Sequence, residues 1–160
     1  MYVQIRDAVA GDLERIASNN LAMALETEHK ALDAATVRLG VGAVLADRAR
    51  GRYFLAVDDA GGVLGQLMLT HEWSDWRNGD FWWIQSVYVT PAARRHGVFR
   101  ALYAHVERLA RAAPRVCGLR LYVENENHHA QRTYASCGMR DAGYRVMEVD
   151  HSGAVRRAGG

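Results

Sequence analysis

Arg94, Arg95 and Gly97 stand where an apolar run, Phe81–Val89 with Thr90-Pro91 behind it, gives way to a stretch carrying Val98, Leu102, Val106 and Leu109 at i, i+4 spacing. The order is strand, basic glycine-containing turn, helix. The first N–H groups of such a helix have no intrahelical partner, and the helix dipole adds partial positive charge there. A helix start of this kind binds anions, most often phosphate. Two guanidinium groups add formal charge and forked donors that match phosphate oxygens. The expectation is a phosphorylated ligand held where the helix begins, near Gly97. Two solvated surface charges are the competing reading, and their place before the glycine favours the phosphate. His96 is read as a turn residue that contributes its backbone.

A second set of groups could handle an amine. Glu26 and Glu28 lie between two helical segments, and Glu72 and Asp75 share a stretch with His71, Trp73, Trp76 and Arg77. Carboxylates attract an ammonium, and indole faces add cation–π attraction of about 0.5–2 kcal/mol. Solvated charges and core or dimer tryptophans are the competing reading. Cys117 and Cys137 make neither a disulfide framework nor a metal site and are read as buried thiols. His128 and His129 have no partner at metal-ligand spacing, so no metal is expected. A nucleotide-binding module using the same helix start is a rival, but the chain has neither a Gly-x-x-x-x-Gly-Lys nor a Gly-x-Gly-x-x-Gly pattern.

Composition limits the setting. At 160 residues, nearly half of them apolar, the chain fits one domain with its own core. A net charge of +2 is too mild to imply a nucleic-acid partner. No apolar run reaches the ~20 residues that cross a bilayer. Met1 leads directly into a strand-like segment with no visible leader, so the expected location is the cytoplasm.

The elements that must carry these groups follow from patterning. Tyr2–Arg6 alternates like a half-buried strand, and Asp12 is a candidate N-cap for a helix running to about Leu25. Glu26–Lys30 reads as a polar break. A second helix starts near Asp33, weakened by Gly40 and Gly42 at up to ~1 kcal/mol each. Tyr53–Val57 and Val63–Thr70 form a hairpin around Asp58–Gly62. His71–Asp80 reads as a loop before the central strand Phe81–Val89. After the long helix, which Pro114 ends, come a strand at Val116–Val123, a helix at Asn127–Ser136 closed by Cys137-Gly138, and a final strand in Met139–Val149. Residues 151–160 are expected to fray as a flexible tail.

In this order of elements the chain resembles the GNAT superfamily of acetyl-CoA-dependent N-acetyltransferases. Val87-Tyr88-Val89-Thr90-Pro91 before Arg94-Arg95-His96-Gly97 is similar to the family's turn, Arg/Gln, two residues, Gly, one residue, Gly/Ala; Phe99 departs from it, standing where a small residue is usual. Asn127, Ala130, Tyr134 and Gly138 match the family's Asn-x-x-Ala-x-x-x-Tyr-x-x-x-Gly helix, and the segment order covers residues 1–150. The resemblance implies an α/β GNAT fold: a mixed central sheet of about six to seven strands flanked by about four helices, in one domain spanning 1–150. It implies acetyl-CoA as co-substrate, with its pyrophosphate on backbone N–H groups of Arg95, His96, Gly97, Val98, Phe99 and Arg100. Pantetheine would add as a strand along Val87, Tyr88 and Val89 and meet Asn127. The Val87 N–H would serve the carbonyl oxygen, and Tyr134 would protonate the leaving thiolate. Asn127 and Tyr134, seven residues apart, share a helix face. Phe99 is expected to turn from the phosphates toward the core.

A common place for the family's base is a carboxylate on the central strand near Trp83, and none is present there. Glu28 and Glu72 are the candidate bases, with water as the alternative. The reading is direct acetyl transfer to a primary amine of a small cationic molecule. Its rivals are an N-terminal or lysine acetyltransferase of proteins and a non-catalytic acyl-CoA sensor. Homodimerisation stays open, with exposed tryptophans as the contacts.

Overall fold

A computed structural model of the chain describes residues 2–152 and, for the backbone alone, 155–157. Five strands form the central sheet: β1 (Gln4–Asp7), β3 (Arg52–Val57), β4 (Val63–Ser74), β5 (Gly79–Val89) and β6 (Val116–Leu121), in the spatial order β1-β3-β4-β5-β6. The first three pairings are antiparallel and β5–β6 is parallel. Two further strands, β2 (Lys30–Leu32) and β7 (Val155–Arg157), pair antiparallel as a separate small sheet. Four helices complete the domain: α1 (Leu13–Glu28), α2 (Ala34–Ala46), α3 (Val98–Ala112) and α4 (His128–Ser136).

Alternation along the strands feeds two cores. Phe54, Leu67, Leu69 and Ile84 face α3, where Val98, Leu102 and Val106 are buried, as their spacing requires. Each such side chain contributes about 1.5–3 kcal/mol of burial. Tyr53, Leu55 and Val57 face the other way, against Ile16 and Ala17 of α1 and Val41 of α2. Helices therefore cover both faces of the sheet, with α1 and α2 on one side. On the other side Cys137 and Met139, just beyond α4, pack on the α3 core.

Several expectations need correction. Helix α1 continues to Glu28 because His29 adopts a left-handed φ of 52° and caps it, so Glu26 and Glu28 sit on its last turn and not in a break. His71–Asp80 is mostly strand: β4 and β5 form one long hairpin whose turn, Asp75–Asn78, has Asn78 at φ 49°. Strand β6 stops at Leu121, short of Val123. Met139–Val149 forms no strand. Asp141 accepts from the Gly143 N–H at 2.7 Å, Gly143 is left-handed, and Tyr144, Val146, Met147 and Val149 are exposed. The central sheet consequently has fewer strands than expected. In the expected frayed tail, Val155–Arg157 is the strand β7, with Leu32 opposite Val155, while residues 153–154 and 158–160 lie outside the described residues. Cys117 is exposed because it lies on the edge strand β6, and Cys137 is only half-buried.

Gly65 tests how closely β4 meets the start of α3. A Cβ there would fall 2.8 Å from the Tyr88 carbonyl oxygen and 3.0 Å from Val98 Cγ1. Neither neighbour can retreat, since Gly65 pairs with Val89 in the ladder and Val98 is buried. Gly65→Ala is expected to cost about 1–3 kcal/mol. Thermal denaturation should show a loss of roughly 2–4 °C per kcal/mol.

Candidate active site

The site is built where β5 loses its second neighbour. The β5–β6 ladder ends at Ile84↔Leu121, while β5 runs on to Val89. Within that extension Ser86 and Val87 together oppose Leu67 of β4, because Gln66 pairs with Tyr88 and Met68 with Gln85. This is a β-bulge, and Ser86 occupies the left-handed region at φ 48°. A bulge re-aims side chains and backbone groups and interrupts pairing. Val87 and Val89 pack on the α3 side.

The turn after β5 reaches the start of α3 through two left-handed residues, Arg95 (φ 68°) and Gly97 (φ 78°). The first helical bond of α3 runs from the Ala101 N–H to the Gly97 carbonyl. The N–H groups of Val98, Phe99 and Arg100 are thus first-turn donors. His96 Nδ1 lies 2.8 Å from the Arg94 carbonyl and, facing an acceptor, donates to it. Arg95 is exposed and forms no ion pair among the described residues.

Arg94 is held from three directions. Its Nε donates to the Val89 carbonyl at 3.1 Å, its Nη2 to a Glu26 carboxylate oxygen, and its guanidinium lies 5.7 Å from the Tyr88 ring centroid. Tyr88 donates its hydroxyl proton to the other Glu26 oxygen at 3.0 Å. Arg94 holds the Glu26 carboxyl below the usual carboxylate range. Burial first, and then the Glu26 charge, push the Tyr88 phenol up. Glu26 is therefore a brace between α1 and the turn. The Val89 carbonyl keeps a second lone pair for another donor.

Helix α4 closes the same mouth. Asn127 caps it, its Oδ1 accepting from the Ala130 N–H at 3.1 Å, which leaves both Nδ2 donors and a second Oδ1 lone pair for a ligand. Phe99 turns inward against the α3 core and meets the Tyr134 ring edge-on, with centroids 5.4 Å apart. Burial raises the Tyr134 phenol above its ordinary value, and the Cys137 thiol adds to the rise. Tyr134 accordingly keeps its proton across the neutral range.

The carboxylates of the expected amine pocket are not brought together. Glu28 lies 3.6 Å from Lys30, and both are substantially exposed. Glu72 accepts from Arg120 at 2.6 Å, and that guanidinium also covers the Phe81 ring at 3.7 Å. Asp75 accepts from the neighbouring Trp76 N–H in the hairpin turn. Trp73 and Trp76 are exposed, and Trp83 instead packs on Tyr122 at 4.4 Å. Among the described residues no group of three His, Cys, Asp or Glu side chains converges as a metal site, and no helix is long and apolar enough to cross a membrane.

Sequence reasoning missed a buried chain of polar side chains on the α1 face. Asn19 donates to Gln66 at 2.9 Å, Gln66 to Asn20 at 2.8 Å, and Asn20 to the Tyr53 hydroxyl at 3.2 Å. The Tyr53 hydroxyl is in turn hydrogen-bonded to the Ser86 side chain. Gln66 Nε2 also reaches the Ser86 carbonyl at 3.4 Å. Gln66 is fully buried, and an amide there is tolerated only because it is satisfied. The available signal was two asparagines on the core-facing side of α1 and a glutamine inside an apolar strand.

The acetyltransferase (GNAT) family model matches residues 19–139. Among solved structures, a possible acetyltransferase from Clostridium difficile 630 is 41% identical over 94% of this chain and 98% of its own, with a TM-score of 0.87. A ribosomal-protein-alanine N-acetyltransferase from Brucella melitensis biovar Abortus 2308 is 17% identical, with 94% and 100% covered and a TM-score of 0.74. AAC(6')-Iy in complex with the bisubstrate analogue CoA-S-monomethyl-acetylneamine is 18% identical, with 94% and 99% covered and a TM-score of 0.73. The last two share the fold with this chain. No curated protein matches it.

Proposed function

The chain belongs to the GNAT family of acetyltransferases, and on that footing we propose that it moves acetyl from acetyl-CoA to the primary amine of a small cationic molecule by direct attack on the thioester. The observation that carries the reading is the parting of β5 and β6 beside the start of α3, with Tyr134 seated against Phe99 of that first turn. The open strand edge, the left-handed turn and the first-turn N–H groups suit a pantetheine arm ending in a pyrophosphate. A fold neighbour was solved with a bisubstrate analogue containing CoA, which supports the same reading.

Acetyl-CoA supplies an activated acyl carbon. The N–H groups of Arg95 to Arg100 bind the pyrophosphate, helped by the Arg95 charge, while Arg94, paired with Glu26, holds the turn in place. Val87, Tyr88 and Val89 offer backbone groups to the pantetheine, and Asn127 offers its amide. The Val87 N–H stabilises charge on the carbonyl oxygen. Tyr134, kept neutral by burial, gives its proton to the departing sulfur. The attacking amine must first lose a proton. Of the two candidate bases, Glu72 is held by a short bond to Arg120, whereas the Glu28–Lys30 pair is long and exposed and therefore weak. We assign the role to Glu28 acting through solvent. Glu28→Gln is expected to lower kcat about 10²-fold below pH 8 and to recover at higher pH, where free amine is plentiful. Glu72→Gln is expected to act on stability instead, since it strands Arg120. A flat response of kcat to Glu28→Gln would leave water as the proton acceptor.

Calorimetric titration with acetyl-CoA, followed by a thiol-release screen of amines and peptides on the same sample, tests the whole reading. Binding with release on small amines is the expected result, and release only on peptides would transfer the activity to a protein acceptor. The pairing of each candidate carboxylate favours one other reading, an acyl-CoA sensor, and binding without any release would establish it. The proposed setting is the cytoplasm, with exposed Trp73 and Trp76 as the surface for a homodimer.

A further inference from the structure

An open groove of about 280 Å³ lies on the α1–α2 face of the sheet, walled by Met23, Leu32, Val37, Val44 and Met68. At one end its lining turns polar, with Asn20, Tyr53 and Ser86. Among the described residues no carboxylate, lysine or arginine lines it. Ser86 belongs to the bulge and directly precedes Val87, the residue assigned to the thioester carbonyl. The groove therefore ends where β5 and β6 part, on the face opposite α3.

We infer that this groove receives the acceptor and that the acceptor is a primary amine on an uncharged apolar body, branched aliphatic or aromatic, and not a polyamine. The inference rests on the proposed acetyl transfer and narrows its substrate. The amino group is the one charge such a molecule carries. The hydrogen bonds in the polar chain run from Asn19 through Gln66 and Asn20 to the Tyr53 oxygen, which Ser86 meets from the other end. Asn20 and Ser86 both donate to the Tyr53 oxygen, so the serine oxygen keeps its lone pairs for an amine N–H. That contact leaves the nitrogen lone pair free to attack. An apolar wall of this size favours a matching hydrocarbon body, each methylene being worth about 10–200-fold in discrimination. A second charge on the acceptor would be desolvated there without a partner among the described residues. Leu32 belongs to β2, whose outer edge is paired by β7, so the C-terminal strand backs this wall.

Gly40 supplies the test. It lines the groove, and a Cβ added there meets nothing within 4 Å. With saturating acetyl-CoA, isoamylamine and phenethylamine should show a kcat/KM at least about tenfold above spermidine and lysine. Gly40→Leu fills the groove on a helix that gains propensity from losing glycine. It should raise the KM for isoamylamine about tenfold or more, keep the acetyl-CoA Kd within about twofold and hold the melting temperature. Gly40→Ala, the smaller change, should give a graded rise. Equal or better turnover of spermidine overturns the inference, and so does an unchanged KM in both variants with thiol release intact. Thiol release from none of the amines, with acetyl-CoA still bound, overturns the enzyme reading itself and this inference with it.

Discussion

Gly97→Glu is expected to abolish acetyl-CoA binding. Gly97 precedes α3 at φ 78°, a conformation that costs a residue with a Cβ about 1–2 kcal/mol. Open space surrounds it, so the new side chain meets no clash and the fold should survive. What changes is the charge. A carboxylate at the start of α3 would occupy the first-turn donors and repel a pyrophosphate placed on them. Calorimetry should show affinity reduced by more than about 10²-fold, on the scale of ~1.4 kcal/mol for each factor of ten. Gly97→Ala pays the same backbone cost without the charge, and its affinity should stay within about tenfold of the parent. Unchanged affinity in Gly97→Glu would remove the phosphate site from this turn. Equal losses in both variants would assign the effect to backbone shape.

Tyr134→Phe is expected to separate turnover from binding. The phenyl ring left by this change would keep the edge contact with Phe99, so the melting temperature and the acetyl-CoA Kd should change little. Loss of the hydroxyl removes the proposed proton donor to the departing sulfur, and kcat should fall about 10²–10⁴-fold. The sign of the pKa shift shapes the pH profile. Burial raises the phenol above ~10, so the proton is present throughout the neutral and moderately alkaline range. The parent enzyme should therefore show no fall from Tyr134 ionisation below pH ~10, and the variant should be slower by a constant factor across that range. A parallel fall in kcat and in acetyl-CoA affinity would assign Tyr134 to packing.

Much of this site lay open in short stretches of sequence. The turn Arg94–Gly97, the helix start after it, and Asn127 with Tyr134 on one helix depend on groups within a few residues of each other. Backbone preference and helical period decide such groups locally. Phe99 was readable for the same reason: adjacent helix positions point apart, and its ring does face the core. The acidic residues were not readable, because a carboxylate's role depends on what it meets. Glu26 meets Arg94, 68 positions away, and becomes a brace; Glu72 meets Arg120, 48 positions away, and is held.

Local pattern, then, was sufficient for the larger strands and helices from β1 to the helix that carries Asn127 and Tyr134, though not for β2 or for the segment Met139–Val149, which forms no strand. Each of those larger elements follows from hydrogen bonds and side-chain periods within a turn or a strand. Packing alone decided the rest. The bulge at Ser86 is backed by Gln66 and Tyr53, from two other strands, both of them hydrogen-bonded to Asn20 of α1. The apolar groove exists because α1, α2 and β2 meet over that bulge, with β7 supporting β2 from the far end of the chain. Contacts between residues dozens of positions apart have no local signature. They form only when the sheet and helices bury their apolar faces, and the site proposed for the amine rests on such contacts.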